Sequence, residues 1–309
     1  MSGEARRSFA CFGGTVTLLG GDADAERAHA AVVAAEIRLL DAHARLSRFL
    51  PDSELCQLNR DPRDTVPVSR LLLEVAACAR WAGLLSDGLV DATLVEEIEG
   101  AGYRDSLAGA ETATPAVGAS AATAPRRPPT TVAAASPRRE WSQIAVDRTA
   151  STVSRPPGLA IDSGGIAKGL LADLVGETMS HLAGFAVDCC GDVRVGGGAR
   201  RPRPVLVEDP AGGEPLRELE IVEGAVATSG IGRRSWDGPG GPAHHLLDPA
   251  TGRPAFTGVV QATARAPIAF LAEVYAKAAL LAGPGRAAAR LPYGGVLVLD
   301  DGSVVEVGL

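Results

Sequence analysis

No stretch of this 309-residue chain is an uninterrupted apolar run of the roughly 18–20 residues that a membrane-spanning helix needs, which excludes a membrane segment of that kind. Positive charge is also scarce. Thirty Lys and Arg stand against 37 Asp and Glu, for a net charge of -7. Clusters such as Arg200, Arg201 and Arg203 are too short to release many counterions, so they read as a solvated loop and nucleic acid is excluded as the main partner. The opening MSGEARRSFACFGG has no apolar core ahead of its first strand-like segment, so neither a secretory signal nor a lipoprotein leader is expected and the expected location is the cytoplasm. The five cysteines are odd in number and without CxxC spacing, which fits reduced thiols better than a disulfide framework or a zinc site. The adjacent Cys189 and Cys190 read as small buried residues at a strand end. Also missing are a GxSxG elbow, a Walker lysine and a Ser/His/Asp order. The glycines of GDVRVGGG, Gly191 to Gly198, have the wrong spacing for a dinucleotide fingerprint, so the common nucleotide folds are disfavoured.

The stretch from Leu159 to Leu174, LAIDSGGIAKGLLADL, is the most telling part of what is there. Leu159 to Ile161 read as a strand end, and the Ala- and Leu-rich Ile166 to Leu182 read as a helix, so Gly164 and Gly165 fall on the turn that opens the helix. The first N–H groups of such a helix are unpaired and partly positive. A phosphate can sit on them, glycine lets it come close, and Lys168 adds a full charge one turn in. A plain structural turn would look similar, and this element alone leaves both readings open.

Elsewhere the spacing predicts a strand over Ser8–Leu19, interrupted at Gly13-Gly14. It predicts a long amphipathic helix from the cap Asp24 to about Phe49, with Ala28, Val32, Ala35, Leu39 and Leu46 inward, and a second helix from Ser69 to about Leu85. From Ser106 to Arg139 the chain is almost wholly Ala, Thr, Pro, Ser and Arg, a composition that cannot offset the entropy of ordering, so a disordered insertion is expected within a single domain of residues 1–309. Short strands follow from Trp141. Further strands are expected at Phe185–Asp188, Val205–Val207, Glu218–Val222, Gly224–Thr228 and Val259–Ala264. A helix is expected at Ile268–Leu281, then a hairpin of Gly295–Asp300 and Ser303–Val307. Without strict βαβ alternation the fold class is α+β.

Three further segments carry candidate chemistry. SDGLVDATL, Ser86 to Leu94, brings Asp91 and Thr93 to a turn where they either cap the backbone or face a ligand. ATSGIGRR, Ala227 to Arg234, ends a strand in small residues that permit close approach of a bulky group. HHLLDPATGRP, His244 to Pro254, is a type I turn signature behind two of the chain's five histidines.

Taken in order, these pieces resemble the FAD:protein FMN transferases of the ApbE-like family. Six motifs run in register: Gly13-Gly14-Thr15; Ser47, Phe49 and Asp52 to Leu55 with Leu58-Asn59; Gly88 to Thr93; Asp162 to Gly169; Ala227 to Gly230; and His245 to Gly252. The resemblance spans essentially everything outside Ser106–Arg139. It implies a two-lobed, T-fold-like α+β domain that binds FAD in a cleft, with a divalent ion, Mg²⁺, at the pyrophosphate. It implies attack by a threonine of an acceptor flavoprotein on the FMN-side phosphorus, with release of AMP. That agrees with what phosphoryl transfer asks of a protein, mainly positioning and charge neutralisation. Carried over, the FAD contacts are Phe49, Leu89, Val90, Asp91, Asp162, Lys168 and Leu246; Gly165 and Glu273 face the metal; His245 accepts the proton.

The chain departs from the family in its last helix. Where the family writes A-D-x-x-x-T, with two oxygen ligands on one helix face, this chain has Ala272-Glu273-Val274-Tyr275-Ala276-Lys277. An ammonium has no lone pair to give. Either Lys277 replaces the ion as the local positive charge, or the site is weakened and the chain is an FAD-binding carrier or regulator. An FAD pyrophosphatase, with water as nucleophile, would use the same site.

Overall fold

A computed structural model of the protein describes residues 4–105 and 130–309. Its centre is an eight-stranded sheet in the order Glu4–Cys11, Gly14–Gly21, Gly184–Cys189, Asp192–Gly196, Gly224–Gly230, Val259–Ala266, Gly295–Leu299 and Val304–Val307. Every neighbouring pair is antiparallel. The first two strands are expected as one interrupted strand and form a hairpin instead. The two residues between them, Phe12 and Gly13, have φ of 54° and 72°, and a two-residue loop with both φ positive has the twist that returns the chain on itself. In the second strand Val16 and Leu18 are fully buried while Thr15 and Thr17 point outward, the alternation of a sheet with one face on a core.

Three helices, Ala25–Leu46, Ala167–Met179 and Ala269–Ala282, cover one face of the sheet. The first starts at the expected cap: Asp24 accepts from the N–H groups of Glu26 and Arg27, and the five apolar residues expected inward are buried. The third is buried nearly throughout its length, and its only charged side chains are Glu273 and Lys277. It lacks a cap of its own; Asp173 on the second helix accepts from Ala269 and Phe270 N–H at 2.7 and 2.8 Å. On the opposite face, the ribbon of Arg203–Val207 and Arg217–Ile221 closes a small core with Val207, Leu219 and Ile221 against Val195, Val226 and Val296. The α+β class is observed as expected.

One local reading is corrected. Leu159–Ile161 is not strand; the side-chain amide of Asn59 stands in for a strand partner, donating to Ile161 O and accepting from Ile161 N–H, each at 2.9 Å. The segment between the first two long helices contains a short helix, Glu54–Arg60, capped by Ser53. Of the expected insertion, residues 106–129 lie outside the described residues, whereas the strip Thr130–Ala135 is tied to its neighbours and buries Ala133. Thr131 N–H donates to Phe256 O and Ala133 N–H to Leu281 O, and Ala133 is 1% exposed among Leu246, Ala255 and Leu281. Small side chains read as low complexity in sequence, yet they are what fits a strip this close to a neighbouring backbone.

Candidate functional site

The turn that opens helix Ala167–Met179 is held from three directions. Asp162 N–H donates to Ala92 O at 2.7 Å, Ser163 Oγ donates to Leu46 O at 2.8 Å, and Gly164 N–H folds onto Asp162 Oδ1 at 2.9 Å. The Ser86–Leu94 loop and the end of the first helix are thus fixed to the turn. Between them and the segment around His245 lies a cleft. Phe49, Leu89, Val90, Asp91 and Leu246 line it together with His245, and Asp162, Gly165 and Lys168 of the turn and helix start form its floor. Of the contacts implied by the resemblance only Glu273 is not in the wall, and Thr93 and the Ala227–Gly230 segment do not line it either.

The loop Ser86–Leu94 owes its shape to local bonds. Ser86 Oγ accepts from Val90 N–H, while Asp87 and Gly88 carry positive φ, and Leu89 and Val90 are left as buried apolar lining. Asp91 accepts from both the N–H and the hydroxyl of Thr93, so Thr93 is committed to Asp91. Burial raises the Asp91 carboxyl above the usual carboxylate range, against the pull of those two bonds. Opposite, the Asp248 turn forms as expected, with Thr251 and Gly252 N–H donating to Asp248 O.

Four charges lie at the floor and beneath it. Glu273 is 0% exposed; its Oε2 accepts from Gly169 N–H and its Oε1 from Lys277 Nζ, both at 2.9 Å, with Lys168 Nζ 3.9 Å away. Lys168 is hydrogen-bonded to the buried Asp192. Burial works against the Lys168 ammonium, but Asp192 and Glu273 outweigh it and raise its pKa. For Glu273, burial is likewise outweighed by Lys277, Lys168 and the Gly169 N–H, and its carboxyl is held below the usual range.

His245 offers a different chemistry. Its Nδ1 is buried without a hydrogen-bond partner. Burial, then the nearby Arg234, His244, Lys277 and Lys168, depress its pKa well below the ordinary histidine value, so the ring is neutral near pH 7.

The sequence reading missed Arg48, Tyr103, Arg234 and Asp192. The Arg48 side chain is 6% exposed and bonded to Tyr103 O at 2.6 Å, and its guanidinium lies 4.2 Å from the Phe49 ring and 4.8 Å from the Tyr103 ring. Tyr103 also stacks on Trp236 at 5.3 Å. Arg234 lines the cleft and is tied to Phe12 O at 2.7 Å. Two signals were available: Arg234 closes the ATSGIGRR segment, and Asp192 is a lone acid opening a Val-rich strand, where burial demands a cation. Tyr103 carried none.

The donors around Gly165 and Glu273 do not fit a divalent ion. Both Glu273 oxygens are engaged, one by an amide and one by an ammonium, and Lys277 has no lone pair to offer. Among the described residues, no group of three or more His, Cys, Asp or Glu is arranged to hold a metal. The expected metal role of this pair is therefore not supported by their chemistry here.

The profile of the ApbE family matches residues 13–296. A protein of Treponema pallidum named FAD:protein FMN transferase is 32% identical over 148 residues, 43% of this chain and 41% of that protein; another so named, from Haemophilus influenzae, is 27% identical over 268 residues, 81% and 71%. The chain thus spans about two fifths of the first of these relatives. In fold, the ApbE protein of Thermotoga maritima superposes with a TM-score of 0.79 at 22% identity, over 99% of this chain and 97% of that one. The Pseudomonas stutzeri flavinyl transferase ApbE, apo form, superposes at 0.74 and 18% identity, over 99% and 95%. With a family match that runs from the first hairpin to the Gly295–Leu299 strand and a cleft built from the same motifs, this chain belongs to the ApbE family.

Proposed function

We propose that this chain is an FAD:protein FMN transferase. The observation that carries the reading is the convergence, in one cleft, of a glycine turn at a helix start, the ammonium groups of Lys168 and Lys277, and a neutral histidine. The apolar wall of Leu89, Val90 and Leu246, with Phe49, suits a flavin ring, and the turn with its two lysines suits the diphosphate. In the reaction, the hydroxyl oxygen of an acceptor threonine attacks the FMN-side phosphorus. The P–O bond to the bridging oxygen breaks, AMP leaves with that oxygen, and FMN stays bound to the threonine as a phosphoester. The His245 ring takes the hydroxyl proton, and Lys168 and Lys277 offset the charge that builds on the phosphoryl oxygens. The acceptor is a flavoprotein. Five free thiols suit work in the reducing cytoplasm.

The test has two parts. Titration by flavin fluorescence should show FAD bound at least about tenfold more tightly than riboflavin, a preference of about 1.4 kcal/mol or more from the diphosphate site. Equal affinities would refute that site. Incubation with FAD and a threonine-bearing flavoprotein peptide, followed by mass analysis, should show the peptide gaining FMN and AMP appearing in equal amount. FAD bound with neither product would favour a carrier, a reading to which the misfit of Glu273 and Lys277 to a metal also lends support.

A further inference from the structure

The four charges behind the cleft are arranged with their signs sorted by depth. Glu273 and Asp192 are 0% and 1% exposed and do not reach the wall, whereas Lys277 and Lys168 both line it. Each carboxylate thus holds an ammonium from behind: Lys277 on Glu273 at 2.9 Å, Lys168 on Asp192, with Lys168 3.9 Å from Glu273 as well. The arm of Lys277 runs beneath the glycine turn, and a Cβ built at Gly165 would lie 3.8 Å from Lys277 Cε. The ammonium therefore sits where a ligand phosphate on that turn would need a positive partner. Arg234, also in the wall, adds a third cation.

We propose that Lys277, braced by Glu273 and seconded by Lys168, is the resident cation of the diphosphate site, so that this chain binds the diphosphate of FAD without a divalent metal ion. The inference rests on the proposed FAD reading and goes beyond it in naming what neutralises the diphosphate. Its ground is donor chemistry. Glu273 cannot ligate an ion while both oxygens are engaged by hydrogen-bond donors, and an ammonium in that position both repels an ion and replaces its charge.

The experiment is a set of fluorescence titrations with FAD and with riboflavin, each with Mg²⁺ and with a chelator, alongside calorimetry with Mg²⁺ alone. The parent should bind FAD with affinities that agree within about twofold in Mg²⁺ and in chelator, and Mg²⁺ alone should give no binding heat. Lys277→Met should weaken FAD by about tenfold or more, the cost of one lost charge-assisted hydrogen bond, and leave riboflavin within about twofold. Because that substitution leaves Glu273 short of one cation, the Glu273→Gln/Lys277→Met double variant serves as the second arm. It removes the pair together, should melt near the parent, and should still lose FAD selectively. Lys277→Thr should regain FAD affinity only when Mg²⁺ is present, since Glu273 is then freed to act with a hydroxyl one turn away. A parent that loses FAD in chelator, or a folded double variant that keeps it, overturns the inference while the FAD reading stands. A parent that binds neither flavin under either condition takes down both.

Discussion

Gly169 is where helix Ala167–Met179 crosses the start of helix Ala269–Ala282, and a single methyl group there should be felt by both the fold and the cleft. A Cβ built at Gly169 would lie 2.6 Å from Ala269 O and 2.8 Å from Phe270 N, backbone atoms that no rotamer change can move aside. Reaching ordinary contact at 3.4 Å requires the crossing to open by about 0.8 Å. That would stretch the 2.9 Å bond from Gly169 N–H to Glu273 Oε2 beyond hydrogen-bond range. Overpacking of this kind costs about 1–3 kcal/mol, and a lost bond to a buried charge about 1.5–3. Ala is the better helix former by up to about 1 kcal/mol, which works the other way but is the smaller effect. The expected net for Gly169→Ala is a destabilisation of about 2–4 kcal/mol. With an unfolding entropy of about 2.1 cal/mol/K per residue, a chain of this length loses about 3–6 °C in Tm. Scanning calorimetry of the parent and Gly169→Ala measures it, with Gly285→Ala as control, since a Cβ there meets nothing within 4 Å. The control should melt within about 1 °C of the parent. A Gly169→Ala variant that melts at or above the parent would refute the reasoning, because the helix-propensity gain would then have outweighed a contact claimed to be incompatible with the crossing.

Two further expectations concern stability. Burial lowers the His244 pKa to about 4, so the folded protein keeps this ring neutral while the unfolded chain takes up a proton below the ordinary value of about 6.5. The stability this gives is present above about pH 6.5 and is lost as the pH falls through 4, by up to about 1.4 kcal/mol per unit; measured against His244→Gln by urea unfolding, the parent should fall behind across that window, and parallel curves would contradict it. Ala133→Asp should cost about 3–5 kcal/mol by placing an unpaired carboxylate against Leu281, and a melting temperature unchanged by that substitution would contradict the packing of Ala133.

Much of this architecture could be read from residue spacing because it is set locally. Asp24 and Ser69 cap the helices they were expected to cap, and the apolar period of Ala28 to Leu46 matches the buried face. The cleft was legible through its turns, because the bonds of Gly164 N–H to Asp162 and of Thr251 and Gly252 N–H to Asp248 join neighbouring residues. Contacts that depend on distant pairing were not legible. Nothing near Leu159–Ile161 in sequence announces that the amide of Asn59 substitutes for a strand, and nothing around Ala133 distinguishes it from the Ala-rich residues before it. The hairpin at Phe12-Gly13 was obscured because a non-glycine residue carries one of its positive φ angles.

Helix Ala269–Ala282 brings stability and binding into the same element. Apart from Glu273 and Lys277 it is made of Ala, Leu, Phe, Val and Tyr, and it is buried on nearly every side. A buried ion pair in such a place adds little to stability compared with apolar residues of similar volume, while removal of one member alone leaves an uncompensated charge and is costly. The pair is therefore a poor device for holding this helix, whose N-terminus is already satisfied by Asp173. Its position does have a use if the cleft receives an anion. Glu273 fixes the ammonium of Lys277 and, through Gly169 N–H, fixes the start of the helix that carries Lys168, so one carboxylate sets the positions of two cations that face the ligand. The same arrangement explains why single and double replacements should differ. Lys277→Met alone leaves Glu273 short of one cation and so costs stability as well as FAD affinity, whereas replacing Glu273 and Lys277 at once removes the pair together and should take away only what the ligand needs.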